Sequence, residues 1–401
     1  MHFNQSIIMK RVVVGLSGGV DSSVAAHLLI KQGYDVIGIF MKNWHDESVT
    51  LSNECPWIDD SNDALLVANK LNIPFQVIDL SKEYKERIVD YMFDEYASGR
   101  TPNPDVLCNR EIKFDIFLKK AVELGADFVA TGHYCRRKDN ADGSVSLLAG
   151  VDKNKDQSYF LCQLNQEQLQ KALFPIGELK KSEVREIAKE LDLVTADKKD
   201  SQGLCFVGKI SLPDFLQQQL KVKKGKVIEI DNDAPILKEY HSTPYDFDHI
   251  ESLVKPFVFS ESDGIEVAEH QGAHFYTIGQ RKGLKIGGRP NPSFVIQTDT
   301  NNNLVFSGQT DEHLGLNRIA LKIDNKELVF TNLKNKFKVN EKRKCLVRIR
   351  YRQSLREATV MHNEDYTYVL FNNLQRGITP GQFCAFYDEN EELLGSGIIL
   401  Q

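Results

Sequence analysis

The sequence predicts an α/β protein: a doubly wound parallel sheet in the N-terminal half, then a small β-rich central unit and a C-terminal β-barrel. Three features of the chain carry this expectation. The apolar run Val12-Val13-Val14 leads directly into a small-residue turn and then into a helical pattern, Val20-Ala25-Leu28-Leu29. Short apolar runs then alternate with helix-period segments as far as Thr131, the rhythm of parallel strands joined by crossover helices. Beyond about residue 221 that rhythm gives way to short alternating segments bounded by turn residues.

Strands are expected over 11–15, 36–41, 75–80 and 127–131, and helices over 20–32, 83–98, 111–124 and 182–191. A further helix is expected to end at Leu71, with Asp60 and Ser61 as its caps. Gly33 and Gly125 read as helix stops. In such a sheet a ligand lies at the carboxyl ends of the strands. That edge receives the stretch Gly15-Leu16-Ser17-Gly18-Gly19-Val20-Asp21-Ser22-Ser23, together with Met41 and Gly132.

With 401 residues the chain is too long for one ordinary core, so two or three domains are expected. The expected divisions are 1–212, 213–288 and 289–401. The chain is 41% hydrophobic and 26% charged, as soluble globular proteins are. No apolar run reaches membrane-spanning length, and the first eight residues are too short and polar for a secretory signal. Seven cysteines without a C-x-x-C pair argue against a disulfide framework and a zinc ribbon. A reducing cytosol is the expected compartment, and no resident metal is expected. The net charge of −6 does not advertise nucleic acid, so such binding would have to be local.

The glycine-serine stretch has neither the Gly-Lys-Ser/Thr of a Walker loop nor G-x-G-x-x-G. Glycines alone would suit an ordinary β–α turn. Two glycines among three hydroxyls and an Asp, straight after a buried strand, favour an anion held by backbone N–H groups at a helix N-terminus. The stretch resembles the S-G-G-x-D-S loop of the ATP pyrophosphatases. That resemblance implies ATP, with Mg²⁺, cleaved to AMP and pyrophosphate.

Two cysteines stand out. Cys108 follows the proline-braced run Thr101-Pro102-Asn103-Pro104-Asp105 and lies near the expected start of a helix, with Arg110 and Lys113 close in sequence. A lowered pKa is expected there, with Asp105 near enough to exchange a proton. Cys205 lies in the polar, glycine-containing loop Asp200-Ser201-Gln202-Gly203-Leu204-Cys205. The other cysteines lack this setting, although Cys55, beside Pro56 and Trp57, resists dismissal. Two reactive thiols with an adenylating loop suggest sulfur transfer through a persulfide and a transient disulfide.

The blocks S-G-G-V-D-S-S, F-M-K-N-W, N-P-D-V-L-C-N-R-E-I-K-F, A-T-G-H-Y, N-K-D-Q-S-Y-F-L, D-S-Q-G-L-C-F-V-G and Y-T-I-G-Q-R-K-G-L, with R-Y-R-Q and T-P-G-Q in the tail, resemble the bacterial tRNA-specific 2-thiouridylases. The resemblance implies an adenine nucleotide alpha hydrolase-like first domain and ATP-dependent 2-thiolation of the wobble uridine of tRNA. It makes Cys108 the nucleophile, Cys205 the persulfide carrier and Asp105 the acid/base beside the target base. Gly15, Leu16, Ser17, Gly18, Gly19, Val20, Asp21, Ser22, Met41 and Gly132 would hold ATP. Asn103, Pro104, Asp105, His133, Lys155, Asp156, Gln157, Arg350, Tyr351 and Gln382 would touch the anticodon region of tRNA. A persulfide-donating protein is the implied partner; no membrane is.

Carboxylates cluster from Glu229 to Glu269, read as an acidic, solvated insertion in the β-rich central unit. Arg281, Lys282 and Lys285 among glycines suit a loop on phosphate backbone. From Lys334 to Arg356 there are ten Lys or Arg against the lone Glu341. Arg348, Arg350 and Arg352 are expected on one strand face as a phosphate track, with Val347, Ile349 and Tyr351 on the other. Two rivals remain: an amide-forming ligase with the same loop, which needs no paired thiols, and a nucleotide- or tRNA-binding module without chemistry.

Overall fold

The computed structural model describes residues 9–43, 56–199 and 212–400. The first unit is built on β1 (Arg11–Gly15), β2 (Asp35–Lys42), β3 (Phe75–Asp79) and β4 (Phe128–Ala130). With the short strand Ala172–Leu173 they form a sheet in the order β3-β2-β1-β4-(172–173), and every pairing is parallel. Val12, Val13 and Val14 are each fully buried. Alternation along the strand sends Val12 and Val14 to the side of α1 (Val20–Lys31), where they pack with Ala26 and Leu29. Val13 faces the opposite layer with Cys108 and Phe117. Both faces of the strand are covered, which is why an unbroken valine run is tolerated there.

Two helical segments fill that opposite layer, and each passes through a π-helical stretch. One comprises Ser81–Tyr84, the π-helix Lys85–Val89 and Asp90–Ala97. The other comprises Pro104–Leu107, the π-helix Cys108–Ile116 and Phe117–Glu123. The expected helix start at 111 is therefore corrected to Pro104. Asn103 accepts a hydrogen bond from the Val106 N–H at 3.2 Å, and Pro104 supplies a pre-set φ at the first helical position. The prolines launch this helix. Similarly, α2 (Pro56–Leu71) begins before Asp60 and Ser61, which lie inside it instead of capping it.

The central unit is a four-stranded sheet ordered Ser293–Asp299, Leu304–Gln309, Gly225–Ile230, Gly264–His270. A division at 288 would cut this sheet, because Ser293–Asp299 and Leu304–Gln309 belong to it. Its acidic stretch also carries the helices Pro235–Ser242 and Ile250–Val254, where a β-rich pattern was expected. Leu237, Tyr240, Leu253 and Val254 are buried and join the core beneath the last unit. Short helices with a few large apolar anchors leave only a weak periodic trace in sequence.

The last unit is a seven-stranded antiparallel sheet. A bridge between Ile323 and Ile399 curls it towards a barrel. The strand expected to carry Arg348, Arg350 and Arg352 ends at Arg348, so the three do not form one strand face. Arg352 has a left-handed backbone, φ 64°. Arg348 is buried and donates to the Asp156 carboxylate of the first unit at 2.6 Å. The Tyr159 hydroxyl donates to the Phe383 carbonyl at 3.0 Å, and Gln163 donates to the Ser396 hydroxyl at 2.7 Å. Phe383, Ala385, Tyr387 and Leu393 of the barrel sit in the same apolar core as Val13 and Cys108. The two units therefore share one interior.

The Arg348–Asp156 pair is nearly dry, with side-chain exposures of 9% and 1%. Removing one partner strands the other charge. Arg348→Met should therefore destabilise the protein by about 3–5 kcal/mol, read as a lower midpoint in thermal unfolding. Arg348→Met with Asp156→Leu should recover much of that loss.

Candidate active site

The loop after β1 is held open by its own hydroxyls. The Ser17 N–H donates to Ser22 Oγ at 3.2 Å, while Ser22 and Ser23 donate to the Gly19 carbonyl at 3.2 and 2.8 Å. Gly18 takes φ 70°, and a side chain there would overlap the Asp60 carbonyl. Gly19 caps α1 with extended backbone and no side-chain acceptor. The first-turn N–H groups thus converge on one spot beside the positive end of the helix, the arrangement that binds phosphate.

The structure brings the two remaining residues of this group to the loop. A Cβ on Gly132 would lie 2.6 Å from the Ser22 nitrogen, and one on Gly15 would lie 3.2 Å from Met41 Cε. Gly132 therefore acts by close backbone approach, and Met41 closes the floor of the loop. This backbone cradle fits a nucleotide's phosphates. Among the described residues no group of three or more His, Cys, Asp or Glu is arranged to hold a metal ion.

Three partners of the loop were not legible from spacing. Lys181 donates to both oxygens of Asp21, at 2.8 and 2.9 Å, and the Tyr134 hydroxyl donates to the same carboxylate at 2.6 Å. Thr195 donates to the Ser23 hydroxyl at 3.2 Å. Lys198 pairs with Asp60 at 2.7 Å and with Asp63, which pins α2 where its backbone meets Gly18. Only Tyr134, in the G-H-Y block, carried any sequence signal.

Cys108 overturns the expected lowered pKa. It begins the second turn of its helix and is 1% exposed. Burial pushes its thiol up from the ordinary value; the Lys113 charge opposes that and the Asp105 charge adds to it. Arg110 contributes little, because its guanidinium is turned to Glu111 and Gln163, both at 2.7 Å. The π-helical turn that starts at Cys108 is a geometry frequent at functional positions. Cys205, Cys55 and the loop from Asp200 lie outside the described residues. Cys135, Cys162, Cys345 and Cys384 are buried free thiols.

The segments expected to meet tRNA are assembled by the barrel. Gln382 donates to the Thr101 and Pro102 carbonyls at 2.9 and 3.1 Å and accepts from Asn103 at 3.2 Å. It thereby braces the turn that holds Pro104 and Asp105. Tyr351 packs on Phe160 with ring centroids 4.3 Å apart, and Arg350 beside it is exposed. Arg281, Lys282 and Lys285 are exposed on a loop. Two residues expected at this surface are interior instead. His133 is buried against Phe114 and Phe174, shares a 2.7 Å hydrogen bond with Thr131, and is kept neutral by desolvation. Asp156 is spent on Arg348, Ser158 and the Gly150 N–H. Gln157 exchanges hydrogen bonds with the Tyr134 backbone, and Lys155 beside it is half-buried. The 155–157 turn thus supports the 132–134 turn.

Gly132→Ala should push the 132–134 turn off the loop. At about 1–3 kcal/mol for such overpacking, affinity for a non-hydrolysable ATP analogue should fall roughly 5- to 150-fold by calorimetry. Alkylation of Cys108 should be slow at neutral pH and keep accelerating past pH 9, since a buried thiol with a raised pKa is protonated below that. A rate plateau below pH 8, read by peptide mass spectrometry, would contradict this.

Comparisons with known proteins agree along the whole chain. A family model described as the tRNA methyl transferase HUP domain matches residues 10–209. The PRC-barrel domain of the same series matches 249–309, and an aminomethyltransferase beta-barrel domain matches 321–399. The tRNA-specific 2-thiouridylase MnmA of Christiangramia forsetii is 59% identical over 98% of this chain and 100% of its own. That of Streptococcus mutans is 45% identical over 97% and 95%. A solved 4-thiouridine synthetase–RNA complex with bound ATP is similar over 52% of this chain and 50% of its own, at 19% identity and TM-score 0.32, too distant to argue from. Identity at this level, sustained from end to end, means that the chain belongs to the family of tRNA-specific 2-thiouridylases.

Proposed function

We propose that this protein is a tRNA sulfurtransferase that uses ATP to replace the C2 oxygen of the wobble uridine by sulfur. Full-length identity to 2-thiouridylases supports the substrate and the product. The observation that carries the chemistry is the shared neighbourhood of loop and thiol. A Cβ on Gly15, at the head of the phosphate loop, would lie 3.7 Å from Phe117 of the same helical segment that holds Cys108.

The C2 oxygen of uridine is a poor leaving group. Attack of that oxygen on the α-phosphorus of ATP breaks the bond to pyrophosphate, and the loop N–H groups with Ser17 and Ser22 take up the charge that develops. Mg²⁺ would arrive on the triphosphate. The outer sulfur of a Cys205 persulfide then attacks C2, and AMP departs. The Cys108 thiolate attacks the inner sulfur, releasing the thiocarbonyl and leaving a Cys108–Cys205 disulfide. A thiol reductant supplies the two electrons that reopen it, and a cytosolic persulfide donor reloads Cys205.

Asp105 suits the acid/base role for Cys108, since a buried thiol must lose its proton before it attacks. The target base would leave the anticodon stack, which costs little in a single-stranded loop. The first unit would hold the chemistry, the central unit with its sheet through Gln309 a tRNA contact, and the last unit, from Asn317, the barrel that braces the Asn103–Asp105 turn. Arg350, Tyr351, Lys155 and the loop at Arg281 would line the RNA side.

The test is thiolation itself. Wild type, Cys205→Ser and Cys108→Ser are incubated with unmodified tRNA, ATP, Mg²⁺ and a persulfide donor, and the digested tRNA is read by mass spectrometry. Wild type should form 2-thiouridine, and each serine variant should lose at least about 100-fold. AMP formation without thiouridine in any sample would favour a ligase of the same loop class. Neither product with a competent donor would favour a binding module.

A further inference from the structure

All three units meet at Thr101. Its backbone is held by the barrel: the N–H donates to the Pro380 carbonyl at 2.9 Å, and the carbonyl accepts from Gln382 at 2.9 Å. A Cβ on Gly381 would lie 2.9 Å from the same carbonyl oxygen, so the two backbones touch. Its hydroxyl is held by the central unit, donating to the Thr277 hydroxyl at 3.1 Å. Asp105 and Cys108 follow on the helix whose start Asn103 and Pro104 fix.

Thr277 opens the turn that leads to the exposed Arg281, Lys282 and Lys285, and that turn is stiff. Gln280 accepts from the Thr277 N–H at 3.1 Å and donates to the Lys282 carbonyl at 2.8 Å. Gly279 donates to the Val295 carbonyl at 2.8 Å, and Val295 donates to the Gln280 carbonyl at 3.0 Å. The turn therefore moves with the central sheet, which also meets the chain just before Thr101: a Cβ on Gly99 would lie 3.1 Å from Thr300 Cγ2. Beside this packing a hydroxyl pair adds little stability, but it is directional, so it selects one register between the two turns.

From this geometry we infer that Thr277 is a positioning residue for the thiolation site: through Thr101 it sets the distance between RNA held on the 281–285 loop and the turn that carries Asp105. This rests on the tRNA reading given above. Phosphates gripped by the basic loop fix where the anticodon lies, while the turn fixes where Asp105 and Cys108 lie. A misplacement of about 1 Å between the two can cost roughly 100-fold in rate. Affinity does not share that loss, because the phosphate contacts are unchanged.

Wild type, Thr277→Val and Thr277→Ser are compared by two measurements. In thiolation of unmodified tRNA, Thr277→Val should lower kcat about 10- to 100-fold and leave the KM for tRNA within about twofold. Thr277→Ser, which keeps the hydroxyl, should stay within about threefold of wild type. An unchanged kcat, a loss that serine does not rescue, or a rise in KM alone overturns the inference. The second measurement needs no thiolation. An anticodon stem-loop RNA is titrated by fluorescence anisotropy, and alkylation of Cys108 is followed with and without it at about pH 9. The RNA should bind all three proteins within about twofold, and slow alkylation at least about threefold more in wild type and Thr277→Ser than in Thr277→Val. Equal slowing in all three proteins, or slowing in none, overturns the inference. The expected pattern of slowing in a wild type that forms no 2-thiouridine would sink the thiolation reading and leave the positioning role standing.

Discussion

Burial of β1 on both faces is the constraint from which the site follows. Val12 and Val14 commit one face to α1, and Val13 commits the other to the helical layer that holds Cys108. A strand fixed on two sides can end in only one place. The loop after it must then turn sharply into α1, with Gly18 left-handed and Gly19 extended. The first-turn N–H groups at that helix start are a by-product of sheet packing, and such a start favours an anion. Helix 104–123 is registered against the same strand, so nucleotide loop and thiol helix are positioned by one core.

The barrel is part of that core. Phe383 and Tyr387 pack in the same core as the helical layer that holds Cys108, the Arg348–Asp156 pair is sealed between the units, and Gln382 holds the backbone of Thr101 and Pro102. The barrel therefore maintains the shape of the turn that carries Pro104 and Asp105. Buried ion pairs contribute little net stability but penalise any arrangement that separates them. The Arg348–Asp156 pair thus specifies one docking of the two units.

The thiol shows where local reasoning about charge fails. Proximity in sequence to Arg110 and Lys113 suggested activation, yet desolvation dominates and Arg110 is turned to Glu111 and Gln163. A protonated, buried thiol is protected from stray oxidation. In the proposed reaction it needs a proton acceptor when it attacks, the place proposed for Asp105.

By itself the sequence determined the order of strands and helices in the first unit and the loop that follows β1. It also determined the grouping of Gly15–Ser22 with Met41 and Gly132. These are encoded by local periodicity and by glycines whose tolerance for close approach is intrinsic. Only the tertiary structure decided that Ser293–Asp299 and Leu304–Gln309 complete the central sheet. It alone turned Arg348 inward and made His133 and Asp156 interior supports. It alone set Lys181 on Asp21, 160 residues away. Those outcomes depend on burial and long-range pairing, and one-dimensional patterns carry no record of which polar side chain meets which once the chain closes on itself.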